Sequence, residues 1–366
     1  MAARRALRAL GASAATVALL GAGAALVAAG TQWPAGAAPA VPPLVVDVPA
    51  GRTTLVCPGP PLLPLGAGEA ADPGFDPTPE ETVTVVTAAS LGRDGGAAGA
   101  GRYLAPETEA TPLTPEDGAA ATATVVDVEG AGLVEVEAAD GTAALAAAAT
   151  LARTGAGDLR GLAGAACRPP AATAWVVAGA TTLGSSARLV VANPGATPAT
   201  VTLTLWGATG PLDPGQSGTL LVPPHGEESV LLEAVAPEQV RLAVHLRAAG
   251  GQVAAWVQDS ELRGFVPAGT DYAGPAADPA GRILVPGLVL EASAIDDADA
   301  SLVRILNPHA DPVTVRLRLL GRDGAVSVPG AEETVVEPGS VTDVSLAGVP
   351  AGAYAAELVA DRPVTA

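Results

Sequence analysis

Asn193-Pro194-Gly195-Ala196-Thr197-Pro198-Ala199-Thr200-Val201-Thr202-Leu203-Thr204-Leu205-Trp206-Gly207 aligns without a gap on Asn307-Pro308-His309-Ala310-Asp311-Pro312-Val313-Thr314-Val315-Arg316-Leu317-Arg318-Leu319-Leu320-Gly321. Asn193 and Asn307 are the only asparagines in the chain, and they fall at equivalent places, which marks an internal repeat. In each copy an apolar strand (residues 189–192 or 303–306) runs into an Asn-Pro turn, Asn193-Pro194 or Asn307-Pro308, and a second, alternating strand follows. On that register Val201, Leu203 and Leu205 face a core, as do Val315, Leu317 and Leu319. The Thr residues between them in the first copy, and Thr and Arg in the second, face solvent.

Working outward, the first copy reads as strands near 175–181, 187–192, 199–206, 218–222, 228–235, 240–247 and 252–259. That spacing predicts an immunoglobulin-like β-sandwich over residues 171–270. The second, over residues 281–366, shows counterparts near 283–289, 301–306, 313–320, 334–337, 340–346 and 353–360, but none for Val253 to Val257. A sandwich short of one strand has an unpaired edge. The second copy is therefore expected to be incomplete, either truncated from a longer protein or closed by another segment.

Upstream, residues 44–170 read as a β-rich domain, with alternation in Thr82–Thr87, Thr122–Val128 and Val134–Glu137. Two low-complexity stretches, Gly66–Glu80 and Gly92–Gly118, are expected to be mobile loops. The Ala-rich run Thr142–Arg153 predicts the domain's one helix, capped by Gly155. Cys57 and Cys167 are the only cysteines, each followed closely by proline. An even pair in an exported chain reads as a disulfide closing this domain, with two buried thiols as the alternative. If bonded, the pair closes a loop of about 110 residues and stabilises the domain by at most about 4 to 5 kcal/mol in the chain-entropy model.

The N-terminus carries Arg4, Arg5 and Arg8, then an uncharged run from Ala9 to about Gly30. Such a run is long enough to span a bilayer, and its basic flank would stay inside. Residues 1–30 thus predict either a signal-anchor, with membrane contact through residues 9–30, or a cleaved signal peptide with a small-x-small site at Ala35–Ala37 or Ala38–Ala40. Both predict an extracytoplasmic location, membrane-anchored or secreted. Residues 31–43 read as a Pro/Ala-rich spacer.

Composition narrows the function classes. The chain of 366 residues holds 34 Pro and 44 Gly, which disfavours long helices, and aromatic residues are only 2% of it, so its cores must rest on Val and Leu. The fold class is all-β. Acidic residues outnumber basic ones by 38 to 19, which disfavours nucleic acid as a partner, and the complete absence of Lys removes Schiff-base and P-loop chemistry. His225 and His309 sit in turns, and His245 shares a strand face with Arg241 and Arg247, read as solvated. The Asp296-Asp297-Ala298-Asp299 run lacks the Gly and distal Glu of a standard calcium loop. Neither Glu80-Glu81 nor Glu227-Glu228 lies in an aromatic-rich context suited to glycoside chemistry. No catalytic residue, cofactor or metal site is expected. Trp175 and Trp256 read as core, whereas Trp206 falls on the outward register.

The basic-apolar N-terminus, Leu55-Val56-Cys57-Pro58-Gly59-Pro60, Gly157-Asp158-Leu159-Arg160-Gly161-Leu162, Trp175-Val176-Val177-Ala178-Gly179 and the repeated Asn-Pro turn together resemble an uncharacterised family of exported proteins from high-GC actinobacteria. The resemblance implies an envelope location and carries over no functional residue. The expected role is a non-enzymatic structural spacer or protein-interaction module of the cell envelope. The alternative is an accessory or carbohydrate-binding subunit for envelope polysaccharide assembly, which an exposed aromatic patch near Trp33, Tyr103 or Trp206 would favour.

Overall fold

The computed structural model describes residues 18–28, 50–63, 75, 81–93, 96–106, 108–115, 118–139, 141–297 and 300–366. The chain forms two units, Met1–Val48 and Pro49–Ala366. In the first, residues 18–28 are helical. No helix among the described residues is long and apolar enough to cross a membrane. The rest of the 9–30 run, the spacer at 31–43 and nearly all of Gly66–Glu80 lie outside the described residues.

Among the described residues the second unit is all-β and antiparallel, with only short helical turns such as Leu232–Val235. Its N-terminal part holds a four-stranded sheet in the order Thr53–Cys57, Gly132–Val136, Gly101–Leu104, Thr111–Pro112. A five-stranded sheet runs Thr114–Pro115, Ala120–Val126, Thr82–Leu91, Leu145–Thr154, Gly161–Ala166. Val86, Ala88, Tyr103, Val134 and Val136 pack together in the core, and the Cys57–Cys167 disulfide lies within it.

Two expectations fail here. The Ala-rich run is the strand Leu145–Thr154, not a helix, and it pairs along its whole length with Thr82–Leu91 and on its other edge with Gly161–Ala166. Alanine's helical preference is a few tenths of a kcal/mol per residue, and two ladders plus the β-branched Thr150 and Thr154 override it. The Gly92–Gly118 stretch is not merely loop. It contributes Gly101–Leu104, whose Tyr103 is buried against Gly132, where any Cβ would overlap the phenol ring.

In the first repeat one sheet runs Thr173–Val176, Ala243–Ala249, Ala199–Gly207, the last strand also pairing with Gly210–Leu212 and Thr219–Val222. The other runs Gly226–Leu231, Ser185–Asn193, Ala254–Arg263, Val266–Ala273. Leu189, Val191, Val201, Leu203, Leu205 and Val257 fill the space between. The second repeat reproduces the first sheet as Ala280–Leu290, Gly352–Val364 and Val313–Gly321, the last also flanked by Gly324–Ser327 and Thr334–Val336. Its other sheet has two strands, Leu302–Leu306 and Val341–Ser345, where the first repeat has four.

Each repeat asparagine is buried and ties three segments together. Asn193 Nδ2 donates to the Thr197 and Val222 carbonyls at 2.8 and 3.2 Å, while Oδ1 accepts from the Gly195 N–H. Asn307 Nδ2 donates to Asp311, Val336 and Glu337, and its Oδ1 accepts from His309 N–H. The amide thus closes its own turn and pins the following strand's flanking partner. Asn193→Ala and Asn307→Ala are each expected to cost about 2–4 kcal/mol in urea unfolding, because several carbonyls are left buried and unpaired.

Candidate functional site

The outer face of the sheet containing Ser185–Asn193 packs on the N-terminal β part. There Ala192, Ala254 and Trp256 meet Val56, Leu133 and Ala165. Trp256 is fully buried, but in this junction and not in the core of its own repeat. Polar contacts frame it: Gln258 exchanges two hydrogen bonds with the Leu62 backbone, and Tyr272 Oη donates to the Gly59 carbonyl at 2.8 Å. Beside this contact lies a recess of about 450 Å³. Its walls are mainly apolar, from Val56, Leu104, Pro106, Leu133 and Ala192, with Glu129, Glu227 and His225 as its titratable groups. Glu227 Oε2 accepts from the Ala131 N–H at 3.1 Å. Asn193 and Pro194 form part of this wall, so the first repeat turn borders the recess. Asn307 and Pro308 do not.

The same arrangement recurs at the next junction. Trp206 and Ala243, on the outer face of the first repeat, pack against Leu306 and Val341 of the second, with Trp175 and Val177 alongside. Trp175 is therefore an outer-face residue, stacked on Trp206 at 5.4 Å and on His245 at 3.9 Å between ring centroids. His245 is not a freely solvated group: burial foremost, and then Arg247, holds its imidazole below the usual value. Arg304 spans the junction, gripping both oxygens of Asp343 and donating to the Gly179 carbonyl at 2.7 Å. A second recess, about 610 Å³, opens beside it, lined by Asp259, Glu261, Val285, Leu288, Leu302 and Val303 among others. Burial pushes the Asp259 carboxyl up from 3.8 to about 6, Arg304 opposing and Glu261 adding to the shift.

Neither recess was visible as a motif, since each is assembled from segments far apart in sequence. His225, His245 and His309 lie apart; His309 Nε2 is within 2.8 Å of the Pro363 carbonyl oxygen. Among the described residues no group of three metal-ligating side chains comes together. Tyr103 and Trp206 are 2% and 8% exposed, so neither offers a surface for stacking a sugar ring. Trp33 lies outside the described residues.

A family model described as a family of unknown function (DUF5719) matches residues 120–366, covering both repeats and the second half of the N-terminal β part. The chain belongs to this family. The DUF5719 match thus takes in both Asn-Pro turns and the whole second junction. No curated protein matches the chain. Among solved structures, allantoicase from Saccharomyces cerevisiae is 7% identical over 60% of this chain and 75% of that one, with a TM-score of 0.12. The BSP domain of a biofilm-associated protein is 7% identical over 87% and 83%, with a TM-score of 0.15. Likeness at this level carries no argument.

Asp259 gives a pH-dependent test of the second recess. The folded chain holds this proton more tightly than the unfolded chain does. The carboxyl therefore costs nothing below pH 3.8, and its cost is complete once pH has risen past about 6. Asp259→Asn is expected to be more stable than the parent by about 1–3 kcal/mol near pH 7.5, with the gain vanishing near pH 4, as read by denaturant unfolding at both values.

Proposed function

We propose that the chain is an extracytoplasmic cell-envelope protein of the exported actinobacterial kind its motifs resemble, acting as a structural spacer and protein-interaction module built from immunoglobulin-like repeats. The observation that carries this reading is the recurrence of one junction geometry. At each step the outer face of the sheet beginning with Ser185–Asn193, or its counterpart Leu302–Leu306, packs on the module before it. A serial stack of sandwiches joined by apolar contacts and an Arg304 bridge transmits orientation from one module to the next, as a spacer must. The Cys57–Cys167 disulfide supports an oxidising compartment. The carbohydrate alternative draws no support from Tyr103 or Trp206, which are both buried.

The test is made in intact cells. Thiols are trapped in acid, the protein is denatured, and free cysteine is alkylated with a reagent that shifts gel mobility. In parallel, protease is added from outside. The expected result is a fully oxidised Cys57–Cys167 pair and digestion of the β unit without cell lysis. Reduced cysteines together with protection until lysis would place the protein in the cytoplasm and end this reading.

A further inference from the structure

Among the described residues, the five-stranded sheet of the N-terminal part buries one face. On Thr82–Leu91 the even-numbered Val86 and Ala88 enter the core, so the odd-numbered positions point the other way. Register carries that division across the sheet: Val85 lies between Val126 and Leu151, Thr87 between Thr124 and Ala149, and Leu91 between Ala120 and Leu145. On the next strand Leu162 stands beside Arg153, and Gly164 beside Leu151. Val83, Leu91, Val126, Leu145, Leu151 and Leu162 all sit on this outer face and are 40% to 64% exposed. A sheet face that meets water is ordinarily polar. The outward positions of these four strands carry one charge, Arg153, at the end of the face, although 16% of the chain is charged.

We propose that this face joins two copies of the chain, sheet on sheet about a twofold axis. Size supports it. Four strands about 4.8 Å apart and up to 10 residues long offer about 600 Å² on each copy. A pair then buries about 1,200 Å², the low end of specific interfaces, whereas a patch this large is the most that a soluble monomer usually exposes. Shape favours a second copy in particular. Val83, Val85 and Leu151 form a ridge, and beside it Thr87, Ala89, Ala147 and Ala149 form a shallow trough. A twofold axis across the strands reverses them and seats each copy's ridge in the other's trough, an isologous contact. Charge points the same way. Each copy carries a net charge of -19, so two copies repel wherever their acids face one another. A face without a carboxylate is where they approach at least cost. Arg153, at the rim, keeps its guanidinium in water and lays its stem on the face. This contact goes beyond the stacking of modules within one chain and does not depend on it.

The full chain is followed by sedimentation equilibrium over a concentration series. A monomer–dimer equilibrium is expected, half-associated at about 1–10 μM. Leu151→Glu places a carboxylate within the contact and is expected to weaken dimerisation by about tenfold or more. Leu221→Glu, at an exposed site in the first repeat, should leave it unchanged. Should Leu151→Glu unfold, cross-linking decides. Both native cysteines are disulfide-bonded, so Ala149→Cys adds a single free thiol, which a short bismaleimide is expected to join to its twin. Thr202→Cys, on the outer face of the first repeat, should stay uncoupled. A monomer at every concentration overturns the proposal, and is what results if another protein or another segment of this chain occupies the face. So does a dimer that Leu151→Glu leaves intact, or equal cross-linking from the two cysteine positions.

Discussion

The carboxamides of Asn193 and Asn307 are the constraint on which each repeat depends. A turn between two strands of facing sheets must satisfy its own carbonyls while turning the chain from one sheet to the other. Asparagine does this with one planar group that donates and accepts at once. Asn193 reaches the Thr197 carbonyl within its turn and the Val222 carbonyl on the strand flanking Ala199–Gly207; Asn307 does the same to Asp311 and Val336. Aspartate could not donate, and glutamine would overreach the turn. That requirement accounts for a chain with so few asparagines placing both of them here.

With the turns fixed, the alternating strands bury one face against the facing sheet and leave the other for the neighbouring module. The first repeat has apolar residues on both faces of Ala254–Arg263, so Val257 enters its own core while Trp256 enters the junction upstream. Arg304 then adds directionality to the second junction. Its guanidinium is planar and pairs with both oxygens of Asp343, leaving Nη1 for the Gly179 carbonyl. The modules are thereby held by apolar area and oriented by one fork of hydrogen bonds.

The strand pattern around both repeat turns was legible because period-two alternation and the Asn-Pro signal agree there. The period failed where composition removed the contrast. In Leu145–Thr154 alanine stands on both faces, so alternation vanishes and only propensity remains, which points the wrong way. In Ala254-Ala255-Trp256-Val257 both faces are apolar for different reasons, and sequence cannot tell a core from a junction. Trp206 was legible as outward, but its cover comes from Leu306 and Val341, both of which lie far downstream in the second repeat. The recesses were not legible at all, because no local spacing joins Val56 to His225 or Asp259 to Leu302.

The repeats also show how solvent rewrites a face while the fold stays fixed. The ladders that pair Leu203 with Leu246 and Leu317 with Leu358 make His245 and Glu357 equivalent, along with Trp175 and Leu284, and Trp206 and Leu320. In the first repeat this outer face is an aromatic stack of Trp175, Trp206 and His245, covered in part by the second repeat. In the second, Glu357 is held between Arg318 and Arg282, which keep its carboxyl below the usual range, Arg318 foremost. An aromatic stack gains from being covered, whereas Glu357 is already buried beneath Arg282 and Arg318, whose exposed guanidinium groups would lose their hydration if this face were covered. The same strand position thus carries a docking surface in one copy and a water-facing ion cluster in the other.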